Sequence, residues 1–323
     1  MIKRILLGLL ALAGCVVALL LLAYIYNTQY IESKDPQASA PADTKFIESD
    51  GEQIAYSEID NGVPTTVIFV GGLSAWSGTW ARTIESLNAK NKNFSYIAID
   101  LPPFGFSIPD EARNYFRDVQ AARLASFVAA KQLEKVILVG HSYGGGPATE
   151  YVLHNQDRVA KLILIDAVLN VGETKVVPSY SPVQNGLLRS VLIGVLVHID
   201  SFALSRLKSF VFVTDNINQS LLDVYTQYFD TRHVTKKLSA WLLDYVEDPL
   251  VYESTSADAY RALSVPVRLI WGDKDTITPI AGATQLLGLV PHIELYTLRG
   301  VGHIPMIEDY AQFDAALQDA LTK

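Results

Sequence analysis

The sequence predicts an α/β protein with a mostly parallel sheet covered on both faces, an inserted helical lid and one preceding transmembrane helix. Three observations predict it. Short, nearly continuous apolar and β-branched runs alternate with helical patterns, as strands buried on both faces require. The alternation then stops for roughly a hundred residues, from about Val168 to Leu263, too long for a bare loop in a compact domain. Finally, Ile5–Tyr26 contains no charged residue at all.

That first run, at about 1.5 Å per residue, is long enough to cross a hydrocarbon core of about 30 Å as a helix. Lys3 and Arg4 precede it, and Tyr24, Tyr26 and Tyr30 stand where aromatic residues favour the membrane interface. Positive charge on the N-terminal side predicts a cytoplasmic N-terminus with the bulk of the chain outside. The run exceeds a usual signal h-region, so residues 1–26 read as an uncleaved signal-anchor. Leu12-Ala13-Gly14-Cys15 resembles a bacterial lipobox, which leaves a lipoprotein anchored through Cys15 as the alternative. Against it, Val16–Ile25 continues apolar where a mature lipoprotein usually turns polar. Cys15 is the one cysteine, so no intrachain disulfide framework is expected.

Residues 27–43 are polar, carry Pro36 and Pro41, and read as a tether. Lys45–Ser49 and Gln53–Ile59 flank an Asp50-Gly51 turn and read as a hairpin. Thr65–Val70, Tyr96–Ile99, Val136–Val139, Leu162–Ile165, Val267–Trp271 and Ile293–Thr297 are the expected further strands. Trp80–Lys90, Asp110–Gln132, Pro147–His154 and Thr278–Leu289 are the expected helices between them. The core domain is thus assigned to residues 44–167 and 264–323, and the lid to 168–263. With 323 residues, 50% of them hydrophobic, the chain can bury a large core. Its net charge of −8, without a Lys/Arg stripe, argues against a nucleic-acid partner.

Gly140-His141-Ser142-Tyr143-Gly144 follows an apolar run and precedes a helical pattern. A G-x-S-x-G sequence between strand and helix is the pattern of a nucleophile elbow, in which a sharp turn presents the serine hydroxyl above a sheet. A serine hydroxyl is almost wholly protonated at neutral pH. It needs a histidine to take its proton and a carboxylate to orient that histidine. Downstream, Trp271-Gly272-Asp273-Lys274-Asp275 and Gly302-His303-Ile304-Pro305 offer both.

Together these motifs resemble the α/β-hydrolase superfamily over nearly the whole chain after the tether. Asp100-Leu101-Pro102-Pro103-Phe104-Gly105-Phe106-Ser107 is similar to that family's D-x-P-G-x-G-x-S loop. Trp271–Asp275 resembles its W-G-x-x-D segment, and Gly302–Pro305 its G-H-x-P segment. The resemblance implies Ser142 as nucleophile, Asp275 as orienting acid and His303 as base, in the chain order expected for this fold. It implies oxyanion-hole donors at the backbone N–H groups of Tyr143 and Leu73. Relatives often carry a histidine where Gly71 stands. The anchor with an apolar lid also resembles membrane-anchored monoacylglycerol lipases.

Asp273 and Asp166 are the rival acids, and His141 reads as support for the elbow. Asp100 reads as structural, whereas Trp76 and Trp80 fit either the core or an acyl pocket. His154, His198, His233 and His292 show no metal-ligand spacing, so neither metal nor cofactor is expected. Leu187–Ile199 and Phe202–Val213 form an apolar lid that either packs on the core or meets a membrane or acyl chain. The expected activity is hydrolysis of carboxylic esters, including lipid esters, through an acyl-enzyme. Thioesterase, carbon–carbon-bond hydrolase and perhydrolase chemistry use the same residues and stay open, as does a non-catalytic binding protein on this scaffold.

Overall fold

A computed structural model of the chain describes residues 2–173, 181–290 and 292–323. Residues 174–180 of the expected lid, and Met1 of the expected anchor, lie outside the described residues. Eight strands form one sheet: β1 (Lys45–Ser49), β2 (Glu52–Ile59), β3 (Thr65–Val70), β4 (Ser95–Ile99), β5 (Lys135–His141), β6 (Val159–Ile165), β7 (Val267–Gly272) and β8 (Ile293–Leu298). Their spatial order is β1-β2-β4-β3-β5-β6-β7-β8. The β1–β2 hairpin joins antiparallel at one edge, and every pairing from β4 to β8 is parallel.

The helices used below are α1 (Ile2–Tyr26), α2 (Ala81–Lys90), α3 (Arg117–Ala130), α4 (Gly145–His154), α5 (Gly186–Leu196), α6 (Asp200–Ser209), α7 (Gln219–Thr226), α8 (Val234–Glu247), α9 (Ala281–Leu287) and α10 (Tyr310–Thr322). Successive side chains of a strand point to opposite faces, so each parallel strand serves two apolar layers. Ile68 and Val70 of β3 join Leu124 and Phe127 of α3 and Tyr151 of α4. Val67 and Phe69, their neighbours, join Ile84 of α2 and Phe313 and Leu317 of α10 on the other face.

Two helix starts and one whole helix depart most from the sequence reading. The expected helix from Asp110 begins only at Arg117, because residues before it are committed to other contacts; the Tyr115 N–H donates to the lid residue Asp244 at 2.8 Å. The helix expected from Thr278 begins at Ala281. Pro279 and the hydrogen bonds of the Thr278 hydroxyl to Asp275 and to the Asp166 carbonyl hold that stretch out of the helix. Helix α10 was not anticipated, although Phe313, Leu317 and Leu321 recur at helical spacing.

The lid crosses the ends of the parallel strands. Its helices α5 and α6 meet at a bend of 95°. Helix α1 is long and apolar enough to cross a membrane, and its most apolar stretch is not buried in the protein. The C-terminal end of α1 packs on α5. A Cβ at Gly194 would fall 2.8 Å from Tyr24, and the Asn27 side-chain amide donates to the Gly194 carbonyl at 2.7 Å. The polar segment after α1 is itself held to the lid. Buried Glu32 accepts from the Thr235 N–H at 3.1 Å and meets His198 at 3.2 Å, while Lys34 pairs with Asp230 and Arg232 with Asp35.

Candidate active site

Ser142 sits between β5 and α4 with φ of 49°, a left-handed conformation that is costly for a residue with a side chain. Its surroundings enforce the turn. A Cβ on Gly144 would come 2.5 Å from the carbonyl oxygens of Val70 and Gly71, and one on Gly140 would come 2.8 Å from Gly145. Both motif glycines are therefore steric requirements of packing the elbow against β3 and α4. The loop after β3 is equally tight. A Cβ at Gly72 would lie 2.8 Å from that of Ser142, and one at Gly71 would lie 2.7 Å from that of Ala75. Gly71 therefore has no room for the histidine that relatives often carry.

Asp275 follows β7 and His303 follows β8, so the strand ends bring three distant segments together. His303 Nε2 lies 2.8 Å from Ser142 Oγ, and His303 Nδ1 lies 2.8 Å from Asp275 Oδ2. All three side chains are buried. The second oxygen of Asp275 accepts from the N–H groups of Ile277 and Thr278, at 2.7 and 3.0 Å, and the Thr278 hydroxyl donates to Oδ2 at 2.6 Å. Burial works to raise the Asp275 carboxyl, but hydrogen bonds from His303 and Thr278 outweigh it and hold the group below its ordinary value.

Neither rival acid is the carboxylate bonded to His303 Nδ1. Asp273 accepts from the Gly300 N–H at 2.7 Å, a turn contact. Asp166 is fully buried, accepts from the Gly272 N–H at 2.9 Å, and is pushed well above the carboxylate range by burial and by the charge of Asp275. His141 donates from Nε2 to the His303 carbonyl at 2.9 Å. Burial, with His303 beside it, lowers His141 to about 3, so it is a neutral prop under the His303 loop. Asp100 is structural. Its carboxylate takes the N–H groups of Ser77 at 2.6 Å and Phe106 at 2.8 Å, tying the two loops together.

Sequence reasoning missed two supporting residues. Thr278 completes an Asp-x-x-Thr turn, a local pattern in which the acid accepts from the turn's N–H groups and the hydroxyl donates back to the acid. Glu308 is buried and accepts four backbone N–H groups: Gly302 and Ile304 on either side of His303, and Phe212 and Val213 of the lid. Its only sequence signal is its place one turn beyond Pro305, where a carboxylate caps a helix start.

Above Ser142 and His303 lies a cleft, open to solvent on one side, of about 920 Å³. Gly72, Leu73 and Ala75 form one side, and Leu196, Phe202, Leu207, Phe210, Leu222 and Phe229 supply a mostly apolar roof from the lid. Leu73 is partly exposed here, on the loop against Ser142. Tyr143 turns its ring away, stacking edge-on to Phe104 and Trp241, so only its backbone faces the elbow turn. Trp76 and Trp80 do not line the cleft. Trp76 donates to the Val224 carbonyl of α7 at 2.7 Å, and Trp80 packs on Phe69 in the core. Among the described residues, no cluster of three or more His, Cys, Asp or Glu side chains is arranged to hold a metal.

Comparison with known proteins agrees with this architecture. Lipase 3 of Moraxella sp. (strain TA144) is 25% identical over 97% of this chain and 96% of its own. A 2-hydroxy-6-oxononadienedioate/2-hydroxy-6-oxononatrienedioate hydrolase of Pseudomonas putida is 24% identical over 83% of this chain and 91% of its own. The crystal structure of a membrane phospholipase A superposes with a TM-score of 0.64 at 24% identity, covering 99% of this chain and 100% of that one. Residues 65–310 match the alpha/beta hydrolase fold family. The chain is a hydrolase-fold protein of that family.

Proposed function

We propose that this protein is a membrane-anchored serine hydrolase that cleaves carboxylic esters of lipids through an acyl-enzyme. One observation carries the reading: Ser142, His303 and Asp275 are linked by two 2.8 Å hydrogen bonds at the floor of an apolar cleft. In this mechanism the Ser142 oxygen attacks the acyl carbonyl as its proton passes to His303 Nε2. Asp275 fixes the imidazole through Nδ1 and balances its charge. The N–H groups of Leu73 and Tyr143 receive the oxyanion, each worth about 3–4 kcal/mol in such sites. His303 then protonates the departing alcohol, and water repeats the sequence to release the acid.

Several observations support a lipid ester. The cleft walls are apolar, and Leu187, Leu188, Leu192, Ile199, Phe202 and Phe212 are exposed on and beside α5 and α6. Of these, α5 adjoins α1, whose composition fits a bilayer, so the exposed apolar lid lies near the expected membrane surface. Lys3 and Arg4 in the first turn of α1 favour a cytoplasmic N-terminus and a catalytic domain outside the cytoplasm. The lipase relative aligns along almost the entire chain. The division into anchor, core 44–167 with 264–323, and lid 168–263 follows the same reading.

Covalent labelling with a fluorophosphonate probe tests the nucleophile. The parent is expected to label and Ser142→Ala to be silent. Equal labelling of the two would remove Ser142 from the mechanism. Turnover of acyl glycerols of increasing chain length tests the substrate class, and activity confined to acetates would exclude lipid esters.

A further inference from the structure

Among the described residues lining the cleft, Arg206 alone carries a permanent charge, and no carboxylate lines the cleft. Its guanidinium lies 5.2 Å from the centre of the Phe210 ring, and that ring lies 6.1 Å from the His303 imidazole. No ion pair joins it to a carboxylate among the described residues. Its place in the last turn of α6 suits a cation, since the helix dipole is negative there. The dipole does not explain why this cation faces the cleft, because Lys208 in the same turn does not line it. An arginine presents a planar fork of donors that matches a phosphate or carboxylate.

Resting on the ester-hydrolase reading, we infer that Arg206 receives an anionic group of the substrate, so that the cleft selects anionic acyl esters, phosphate-bearing glycerolipids foremost, over neutral acylglycerols. The acyl chain lies along the apolar roof, the carbonyl meets Ser142, and the anionic end of the alcohol portion reaches Arg206 beside Phe210. Arg206 is a specificity residue here and takes no part in proton transfer.

Soluble short esters separate substrate reading from attraction to a charged bilayer. The full chain in non-ionic detergent is assayed with hexanoyl glycerophosphate, hexanoyl glycerate and hexanoyl glycerol. The parent is expected to favour the anionic esters. In Arg206→Gln, the kcat/KM ratio of phosphate to neutral ester should fall about tenfold or more, and Arg206→Lys should restore part of it. A matching fall for the glycerate shows recognition of anions in general, and a fall for the phosphate alone shows recognition of phosphate. A ratio unchanged within about twofold overturns the assignment. Calorimetry on Ser142→Ala supplies a readout without turnover. Dodecyl phosphate should bind more tightly than dodecanol, and the preference should vanish in Ser142→Ala/Arg206→Gln. A preserved preference there overturns the role of Arg206, while a parent without esterase activity, whose Ser142→Ala form still prefers dodecyl phosphate and loses that preference with Arg206→Gln, counts against the ester reaction alone.

Discussion

The floor and the roof of the cleft are built on opposite principles. The floor is made of strand ends and tight turns, in which Gly144, Gly72 and Asp100 are fixed by contacts that allow no substitute size or charge. The roof is made of lid helices whose apolar side chains are interchangeable in kind and partly exposed. Chemistry that needs a proton moved across 2.8 Å demands the first kind of construction. Holding a flexible chain demands only the second.

The largest expected effect falls on the floor. Asp275→Asn keeps the shape of the turn but removes the acceptor that orients His303, and kcat should drop by about 10⁴-fold. A drop below about tenfold would show that another group, Asp166 foremost, orients the imidazole instead. Next comes the seam between floor and roof. Glu308→Gln leaves its four N–H partners short of charge-assisted acceptors, and denaturant unfolding should show a loss of about 2–3 kcal/mol. Activity should fall with it, because two of those N–H groups flank His303. An unchanged midpoint would mean that the lid is held independently.

The smallest expected effect concerns pH. Asp275 is held below its ordinary value and His141 is lowered to about 3, so neither gains a proton until well into acid. Neither should therefore add a proton to the acid limb of kcat/KM above about pH 4. A two-proton limb there would mean that one of these neighbours titrates in it. For stability the sign is opposite to that of a raised carboxyl: Asp275 stabilises the fold at neutral pH, and the contribution fades as pH falls through its lowered value.

The floor was legible in the sequence because its constraints are local. The two glycines around Ser142, the strand patterns and the segments holding Asp275 and His303 each announce themselves within a few residues. Thr278 was missed although its turn is local, since a helical pattern from Thr278 to Leu289 hid it. Glu308 was missed because its partners lie nearly a hundred residues apart in the chain, which no short pattern encodes. The roof was legible only in outline. Its apolar residues fit a core equally well, and which of them face the cleft depends on the 95° bend between α5 and α6. Arg206 passed unnoticed for that reason: the sequence shows a cation near a helix end, not the direction it faces.

The contact of α1 with Gly194 has a kinetic consequence. Under the proposed reading of a bilayer anchor and a lipid substrate, the cleft would be held close above the lipid, and its encounters with substrate would become collisions in a plane. Its rate then follows the fraction of the surface that is substrate, whatever the amount in the surrounding volume. Adding inert lipid at constant substrate would slow the enzyme, and releasing it from α1 would return it to ordinary three-dimensional saturation.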